Sequence, residues 1–144
     1  MGYYDLWRVK APGVFMIAIR KFSMLDAKFA YKLINHPKLK RWTRKRSISQ
    51  ILEDLSSQNY ILKYGNNRVG MLRLYKNEIS LLILPQYQNR GIGTVAINFL
   101  KKNNNVLEAT IDRYNEKSIR FFEKQGFRIK QVTWIEQEMI WKKH

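Results

Sequence analysis

Two glycines between an apolar run and an amphipathic helix form the segment of this sequence most able to do chemistry. Residues 79–84 are continuously apolar and end at Pro85, a pattern that predicts a buried strand. The helix that follows carries on one face Ile92, Val95, Ala96 and Phe99. Gly91 and Gly93 lie in the connecting turn, where residues without a Cβ let backbone N–H groups point outward. Free N–H groups at a helix N-terminus bind anions, so the segment predicts either a pyrophosphate site, with Arg90 adding charge, or a tight turn without a ligand.

The same glycines also fit G-x-G-x-x-A, the dinucleotide-binding fingerprint of Rossmann domains. In that interpretation Gly91, Gly93 and Ala96 surround a pyrophosphate, and Asp112 binds a ribose. Such a domain needs further β-α-β units, whereas only 32 residues follow Asp112 and a hairpin-rich region precedes the turn. The context therefore disfavours a dinucleotide site.

Two motifs, on either side of a strand predicted at residues 106–111, point to a different phosphate ligand. Residues 88–93, Gln-Asn-Arg-Gly-Ile-Gly, fit Q/R-x-x-G-x-G/A. Residues 115–127 are similar to N-x-x-[SA]-x-x-[FL]-Y-E-K-x-G-F. Together, at this separation and in this element order, they resemble the acetyl-CoA-binding motifs of the GNAT superfamily of N-acetyltransferases.

The resemblance implies an α+β fold. A mixed, mostly antiparallel twisted sheet of six or seven strands, with splayed central strands, would carry about four helices. The element order predicted from hydrophobic periodicity, β-α-α-β-β-β-α-β-α-β-β, agrees with this fold from about Met16 to the C-terminus and includes a second helix near residues 48–55. Residues 1–144 are expected to form a single acetyltransferase domain, with residues 1–15 as an unplaced N-terminal extension.

The resemblance also assigns residues to acetyl-CoA, the family's co-substrate. The backbone of residues 82–84 would hold the pantetheine arm, and the N–H groups of residues 89–94 would hold the pyrophosphate. Asn115 would hydrogen-bond the arm, although it also suits a helix N-cap, and the phenylalanines of the second motif also suit a core. The expected cofactor-binding residues are Leu82, Ile83, Leu84, Gln88, Asn89, Arg90, Gly91, Ile92, Gly93, Thr94, Asn115, Ser118, Phe121 and Phe122.

The implied reaction is direct attack of a primary amine on the thioester, in which positioning and backbone N–H groups lower the barrier. Many members protonate the departing thiolate with the tyrosine of the second motif, but Phe122 stands there and cannot donate a proton. Either activity survives at a reduced rate, because a CoA thiolate is a tolerable leaving group, or Tyr114 or Tyr87 takes the place of the acid. Glu78 is the candidate base, although strand alternation puts it on the face opposite Ile83 unless a bulge changes the register. No metal is expected.

Composition limits the other possibilities. The chain has no cysteine, which excludes a disulfide scaffold, a thiolate metal site and a cysteine nucleophile. Its 45% hydrophobic content argues against disorder. The longest apolar stretches, such as residues 14–19, are far shorter than the roughly 20 residues that span a bilayer. We therefore expect a cytoplasmic protein with no membrane partner.

The charge is strongly positive, with 27 Lys and Arg against 11 Asp and Glu, a net charge of +16. The densest basic stretch, residues 38–46 with Trp42 inside it, falls in the segment that helps to form the acceptor site in the family. One hypothesis is an anionic acceptor, such as a nucleotide-linked amino sugar or an aminoacyl-tRNA, and the alternative is a solvated basic loop. Two other functions stay open: a catalytically silent GNAT-fold protein that binds CoA or a partner, and a basic nucleic-acid-binding domain.

Overall fold

The computed structural model describes residues 4–10, 15–42 and 58–144. The described strands are β1 (Asp5–Lys10), β2 (Met16–Lys21), β3 (Gln58–Tyr64), β4 (Asn67–Tyr75), β5 (Glu78–Ile83), β6 (Val106–Asp112), β7 (Arg128–Val132) and β8 (Glu136–Lys142). The described α-helices are α1 (Ala27–Ile34), α2 (Ile92–Asn103) and α3 (Glu116–Lys124). Short 3-10 helices span Met24–Asp26, Lys40–Trp42 and Pro85–Tyr87.

All eight described strands belong to one sheet, in the order β1-β2-β3-β4-β5-β6-β8-β7. Every neighbouring pair is antiparallel except β5 and β6, which run parallel and meet only where Glu78 pairs with Glu108. Beyond that point the two strands diverge. This confirms the α+β fold with splayed central strands. A doubly wound dinucleotide domain would need several parallel pairs, so the Rossmann interpretation is wrong.

The sheet has one strand more than the six or seven expected, because the segment left unplaced contains β1. This strand pairs antiparallel with β2, with Val9 opposite Ile17, and Trp7 packs against the core. The polar residues between its apolar positions obscured the pattern, since an edge strand buries only part of one face. The second helix expected near residues 48–55 lies outside the described residues.

Each face of the sheet is covered by different helices. Strand alternation turns Leu62, Leu72 and Leu107 toward α2, whose Ile97 is fully buried, and α3 adds Phe122 to this core. The opposite face turns Ile61 and Met71 toward α1, which packs through Ala30 and Leu33. The cleft described below opens where β5 and β6 part between these two layers.

A buried ion pair fixes the start of α1. The guanidinium of Arg20 donates two hydrogen bonds of 2.8 Å to the carboxylate of Asp26, which also accepts the N–H of Ser23. Burial alone would raise the pKa of Asp26, but the hydrogen bonds from Arg20 and Ser23 and the charges of Arg20 and Arg68 hold that pKa below its ordinary value. The carboxylate is therefore charged in the folded protein at neutral pH.

Within the described ranges, no helix is long and apolar enough to cross a membrane. The cytoplasmic location stays a prediction. The same ranges contain no group of three His, Cys, Asp or Glu placed to hold a metal ion.

Candidate functional site

The divergence of β5 and β6 opens a cleft of about 1680 Å³. One end of it is formed by the glycine turn and α3, and the other by the sheet near the single β5–β6 pair. The segment after α1 forms a further wall through Lys38, Arg41 and Trp42. Most of the residues predicted to bind acetyl-CoA line this one cleft.

The backbone of β5 faces the cleft only at alternate residues. The N–H of Leu84 donates to the carbonyl of Val69 in β4, at 2.8 Å. Because N–H and C=O groups alternate along a strand, Leu82 also turns its backbone toward β4, whereas Leu81 and Ile83 turn theirs toward the cleft. Of the three residues expected to hold pantetheine, Ile83 turns its backbone toward the cleft, and so does Leu81, which was not among them.

The glycine turn presents a series of unbonded N–H groups. Asn89 and Gly91 are left-handed, with φ of 63° and 83°. In the described part of the chain, none of the backbone hydrogen bonds outside helices and strands is donated by residues 89–94, and Val95 is the first to bond, to Gly91. The positive end of the α2 dipole lies at the same point. This arrangement has the donors that a pyrophosphate needs.

The second glycine allows α3 to pack against the start of α2. A Cβ at Gly93 would lie 2.9 Å from the ring of Phe121. Gln125 adds a hydrogen bond of 3.0 Å to the Thr94 hydroxyl, which joins the two helices again. The turn therefore rests on an aromatic ring from the second motif, which explains why both motifs occur together.

The other predicted residues of the second motif have structural partners as well. The side chain of Asn115 accepts the N–H of Ser118 at 3.3 Å, so it caps α3 while also lining the cleft. Phe122 is 5% exposed and packs edge-to-face on Phe121 and Phe127. Its ring belongs mainly to the core, in agreement with the structural alternative for this residue.

Two predicted side chains of the first motif are already engaged. Gln88 donates to the carbonyl of Ile83 at 3.1 Å and accepts from the ammonium of Lys117 at 2.6 Å. The guanidinium of Arg90 lies over the rings of Tyr64 and Tyr87 and does not line the cleft. The expectation that the Arg90 charge faces the pyrophosphate therefore does not match its position, because the aromatic rings draw the side chain to the other side of the turn.

Sequence reasoning missed the cations that do line the cleft at this end. Lys117, Arg120 and Lys124 extend from α3, at helical spacings of three and four residues. Arg120 forms an exposed pair with Glu116 at 3.7 Å. Their spacing on one helix was visible in the sequence. The turn end of the cleft is therefore positively charged.

The sheet wall of the cleft is acidic, which the sequence did not reveal. Glu78 lies at the single β5–β6 pair, and Asp112 and Glu136, which pair with each other, lie further along toward the C-terminal end of β6. Glu108 and Glu138 project from the same sheet face, because β6 and β8 pair in register and side chains alternate. These are five of the 11 acidic residues of the chain. Among the described residues, only Glu108 of the five forms an ion pair, with Lys130 at 3.2 Å.

Only one of the two candidate catalytic tyrosines lines the cleft. Tyr114 lines the cleft beside Asp112 and is 70% exposed, whereas Tyr87 packs under Arg90 away from it. Glu78 lies at the point where β5 and β6 part, on the face opposite Ile83, as alternation predicted. Of the basic stretch, Lys38, Arg41 and Trp42 line the cleft, and residues 43–46 lie outside the described residues.

Comparisons with known proteins agree with this geometry. A model of the acetyltransferase (GNAT) family matches residues 25–127. Spermidine N(1)-acetyltransferase of Escherichia coli K12 is 21% identical over 141 residues, covering 82% of this chain and 76% of its own. The solved spermidine N-acetyltransferase of Vibrio cholerae, in complex with CoA and spermine, has a TM-score of 0.70 at 16% identity and covers 88% of this chain and 95% of its own. AAC(6')-Ib, solved with acetyl-CoA and paromomycin, has a TM-score of 0.75 at 16% identity, with coverage of 88% and 93%.

Proposed function

Because the chain belongs to the acetyltransferase (GNAT) family and is an acetyl-CoA-dependent N-acetyltransferase, we propose that it acetylates a polyamine, an amine with several ammonium groups. The observation that carries this proposal is the group of carboxylates that share one face of the sheet along the cleft. The similarity to spermidine N-acetyltransferases supports the same substrate class.

The turn end of the cleft suits the anionic part of acetyl-CoA. The N–H groups of residues 89–94 would hold the pyrophosphate, and Lys117 and Lys124 supply positive charge beside them. The backbone groups of Leu81 and Ile83 would pair with the amides of the pantetheine arm between the splayed strands. Acetyl-CoA supplies the thioester, which would lie toward the point where Glu78 meets Glu108.

The carboxylates on the sheet wall suit a cationic acceptor. Glu78, Asp112 and Glu136 line the cleft, and Tyr75 and Trp42 add aromatic surface. An exposed carboxylate–ammonium pair contributes about 0.2–1 kcal/mol, so each carboxylate can improve affinity by up to about fivefold. The comparisons give no support to the anionic acceptor that the basic stretch suggested. The carboxylates would also repel a phosphate group.

The chemistry required of the protein is small. Glu78 would hold the attacking ammonium and accept its proton, which frees the nitrogen lone pair. The N–C bond forms as the C–S bond breaks, and the new amide nitrogen loses its second proton to water. The departing thiolate takes a proton from water, because the ring of Phe122 has none to give. Placing the amine and the thioester in one cleft provides most of the rate enhancement.

Thiol release from acetyl-CoA tests the proposal. We expect turnover with spermidine and spermine at a KM about tenfold or more below that of butylamine, a primary amine with one charge. Glu136→Gln and Asp112→Asn should each raise the spermidine KM up to about fivefold and leave the acetyl-CoA KM unchanged. Asp112→Asn keeps the side-chain oxygen that accepts the N–H of Tyr114, so its turn is preserved.

A matched control is Glu123→Gln, an exposed residue of α3 that does not line the cleft, and it should leave all constants unchanged. Equal KM values for spermidine and butylamine, or a preference for a phosphate-bearing amine, would contradict a polyamine acceptor. CoA binding without thiol release from any amine would favour the catalytically silent alternative.

A further inference from the structure

Arg90 has an unusual environment for an arginine in a turn that can bind anions. Its guanidinium carbon lies 5.4 Å from the ring centre of Tyr64 and 5.3 Å from that of Tyr87. The two ring centres are 5.8 Å apart. Its neighbours Asn89 and Gly91 line the cleft, and Arg90 does not. The arginine side chain therefore points away from the groove that its own backbone helps to form.

The two tyrosines are themselves anchored to the sheet. Tyr64 is the last residue of β3, and its ring packs on Phe15 at 5.2 Å. Tyr87 ends the 3-10 helix before the turn, and its hydroxyl accepts a hydrogen bond from Asn67, at the start of β4. Through these rings, Arg90 connects the glycine turn to the β3–β4 hairpin.

The turn needs such support because its backbone makes few bonds of its own. Asn89 has a left-handed φ of 63°, which is unfavourable for a residue with a Cβ. Residues 89–94 donate none of the backbone hydrogen bonds described outside helices and strands. N–H groups that stay free for a ligand cannot also hold the turn in shape, so side chains must do so.

We propose that Arg90 is a positioning residue, which fixes the glycine turn by packing its guanidinium against the rings of both Tyr64 and Tyr87 and makes no contact with the CoA phosphates. The inference rests on the proposed placement of acetyl-CoA in the cleft. Packing on the rings requires both the guanidinium and the tyrosines, whereas direct phosphate binding requires a positive charge and neither ring. Substitutions that keep the charge and substitutions that remove a ring therefore separate the two roles.

The test measures the Kd of CoA by calorimetry at several salt concentrations. Arg90→Lys keeps the charge but loses the contact of the planar guanidinium with the two rings, and we expect the Kd of CoA to rise about threefold to tenfold. Tyr87→Leu should raise Kd by a similar factor, and the double variant should be no weaker than either single variant. Tyr64→Phe keeps both rings and the bond from Asn67 to Tyr87, and it should bind like the unmodified chain.

The salt dependence provides a readout that a purely structural role would not change. A variant that loses a phosphate contact shows a weaker dependence of Kd on salt, so the slope should stay unchanged in Arg90→Lys and Tyr87→Leu but fall in Lys117→Met. Arg128→Lys, an exposed arginine of β7, is the matched control and should bind normally.

The possible failures are distinct. Normal affinity in Arg90→Lys with weak binding in Arg90→Met would show a direct charge contact and overturn the inference. Normal affinity in all of these variants would overturn it too, while leaving the proposed CoA site intact. If the unmodified chain does not bind CoA, both the inference and the proposed placement of CoA fail.

Discussion

Replacing Gly91 by alanine isolates the backbone conformation of the turn. Gly91 has a φ of 83°, and a Cβ added there meets no other atom within 4 Å. The substitution therefore introduces strain without a steric clash. A non-glycine residue in the left-handed region costs about 1–2 kcal/mol.

The hydrogen bonding of the turn decides whether this strain weakens CoA binding or folding stability. Asn89, Arg90 and Gly91 donate none of the backbone hydrogen bonds described outside regular elements, so the turn of the variant can relax by rotating the new alanine out of the left-handed region. Relaxation redirects the free N–H groups. CoA binding must then return the new alanine to the left-handed conformation, so the whole strain energy is subtracted from the binding free energy. We expect the Kd of CoA to rise about 5-fold to 30-fold, with a smaller loss of folding stability.

Gly126 offers a matched control. Its φ is 89°, and a Cβ there would make only an ordinary contact of 3.6 Å with Trp141. It is bonded on both sides, since its N–H donates to Glu123 and the N–H of Phe127 donates to Phe122. Gly126→Ala should therefore lower stability by about 1–2 kcal/mol, which is roughly 3 °C in Tm for each kcal/mol, and leave the Kd of CoA unchanged.

Calorimetric titration with CoA and thermal unfolding of both variants distinguish the two sites. The reasoning requires opposite outcomes, with a binding defect at Gly91 and a stability defect at Gly126. An unchanged Kd in Gly91→Ala would show that the orientation of these N–H groups does not determine CoA affinity. An equal binding defect in Gly126→Ala would show a general effect of destabilisation instead.

Three further substitutions test other parts of the structure. Gly93→Ala, which places a Cβ 2.9 Å from the ring of Phe121, should weaken CoA binding and lower Tm. Adding Phe121→Leu to this variant should restore part of the CoA affinity and part of the Tm. Failure of this rescue would show that the clash with Phe121 is not the cause. Lys117→Met should raise the Kd of CoA about threefold to tenfold at low salt, with little change in Tm, because the bond of its ammonium to the Gln88 amide is exposed. Lys143→Met serves as its control. Asp26→Asn should cost about 3–5 kcal/mol in urea unfolding at pH 7. Since the folded pKa of Asp26 is lowered, this difference is present above its unfolded pKa of about 3.8 and should shrink as the pH falls below that value; a constant difference down to pH 3 would contradict the charged pair.

The sequence predicted the elements around the two motifs, because each motif depends on residues that are close together in the chain. The strand, turn and helix around Gly91 depend on residues within a short segment, and so does the N-cap of Asn115. The strand β1 was missed because it is stabilised by pairing with β2, whereas its own sequence shows no strand pattern. The direction of the Arg90 side chain was missed for a similar reason, since Tyr64 comes from a distant strand.

The acidic face depends on pairing that no local pattern specifies. Glu136 and Glu138 face the cleft side only because β8 pairs with β6 in the register that puts Asp112 opposite Glu136 and Thr110 opposite Glu138. A shift by one residue would turn both carboxylates to the other face of the sheet. Glu78 joins them because the one parallel pair puts it beside Glu108. The sequence alone therefore offered the basic stretch, with no sign of the carboxylates across the cleft from it.

The distribution of charge, rather than the net charge of +16, accounts best for the proposed reaction. Within one cleft, Lys117 and Lys124 provide positive charge for the phosphates of one substrate, and Glu78, Asp112 and Glu136 provide negative charge for the ammonium groups of the other. A surface of uniform sign would bind one substrate and repel the other. Acetylation of an ammonium group removes one positive charge from the acceptor, so the carboxylates bind the product less tightly than the substrate. The same acidic face therefore favours both the capture of the polyamine and the release of its acetylated form.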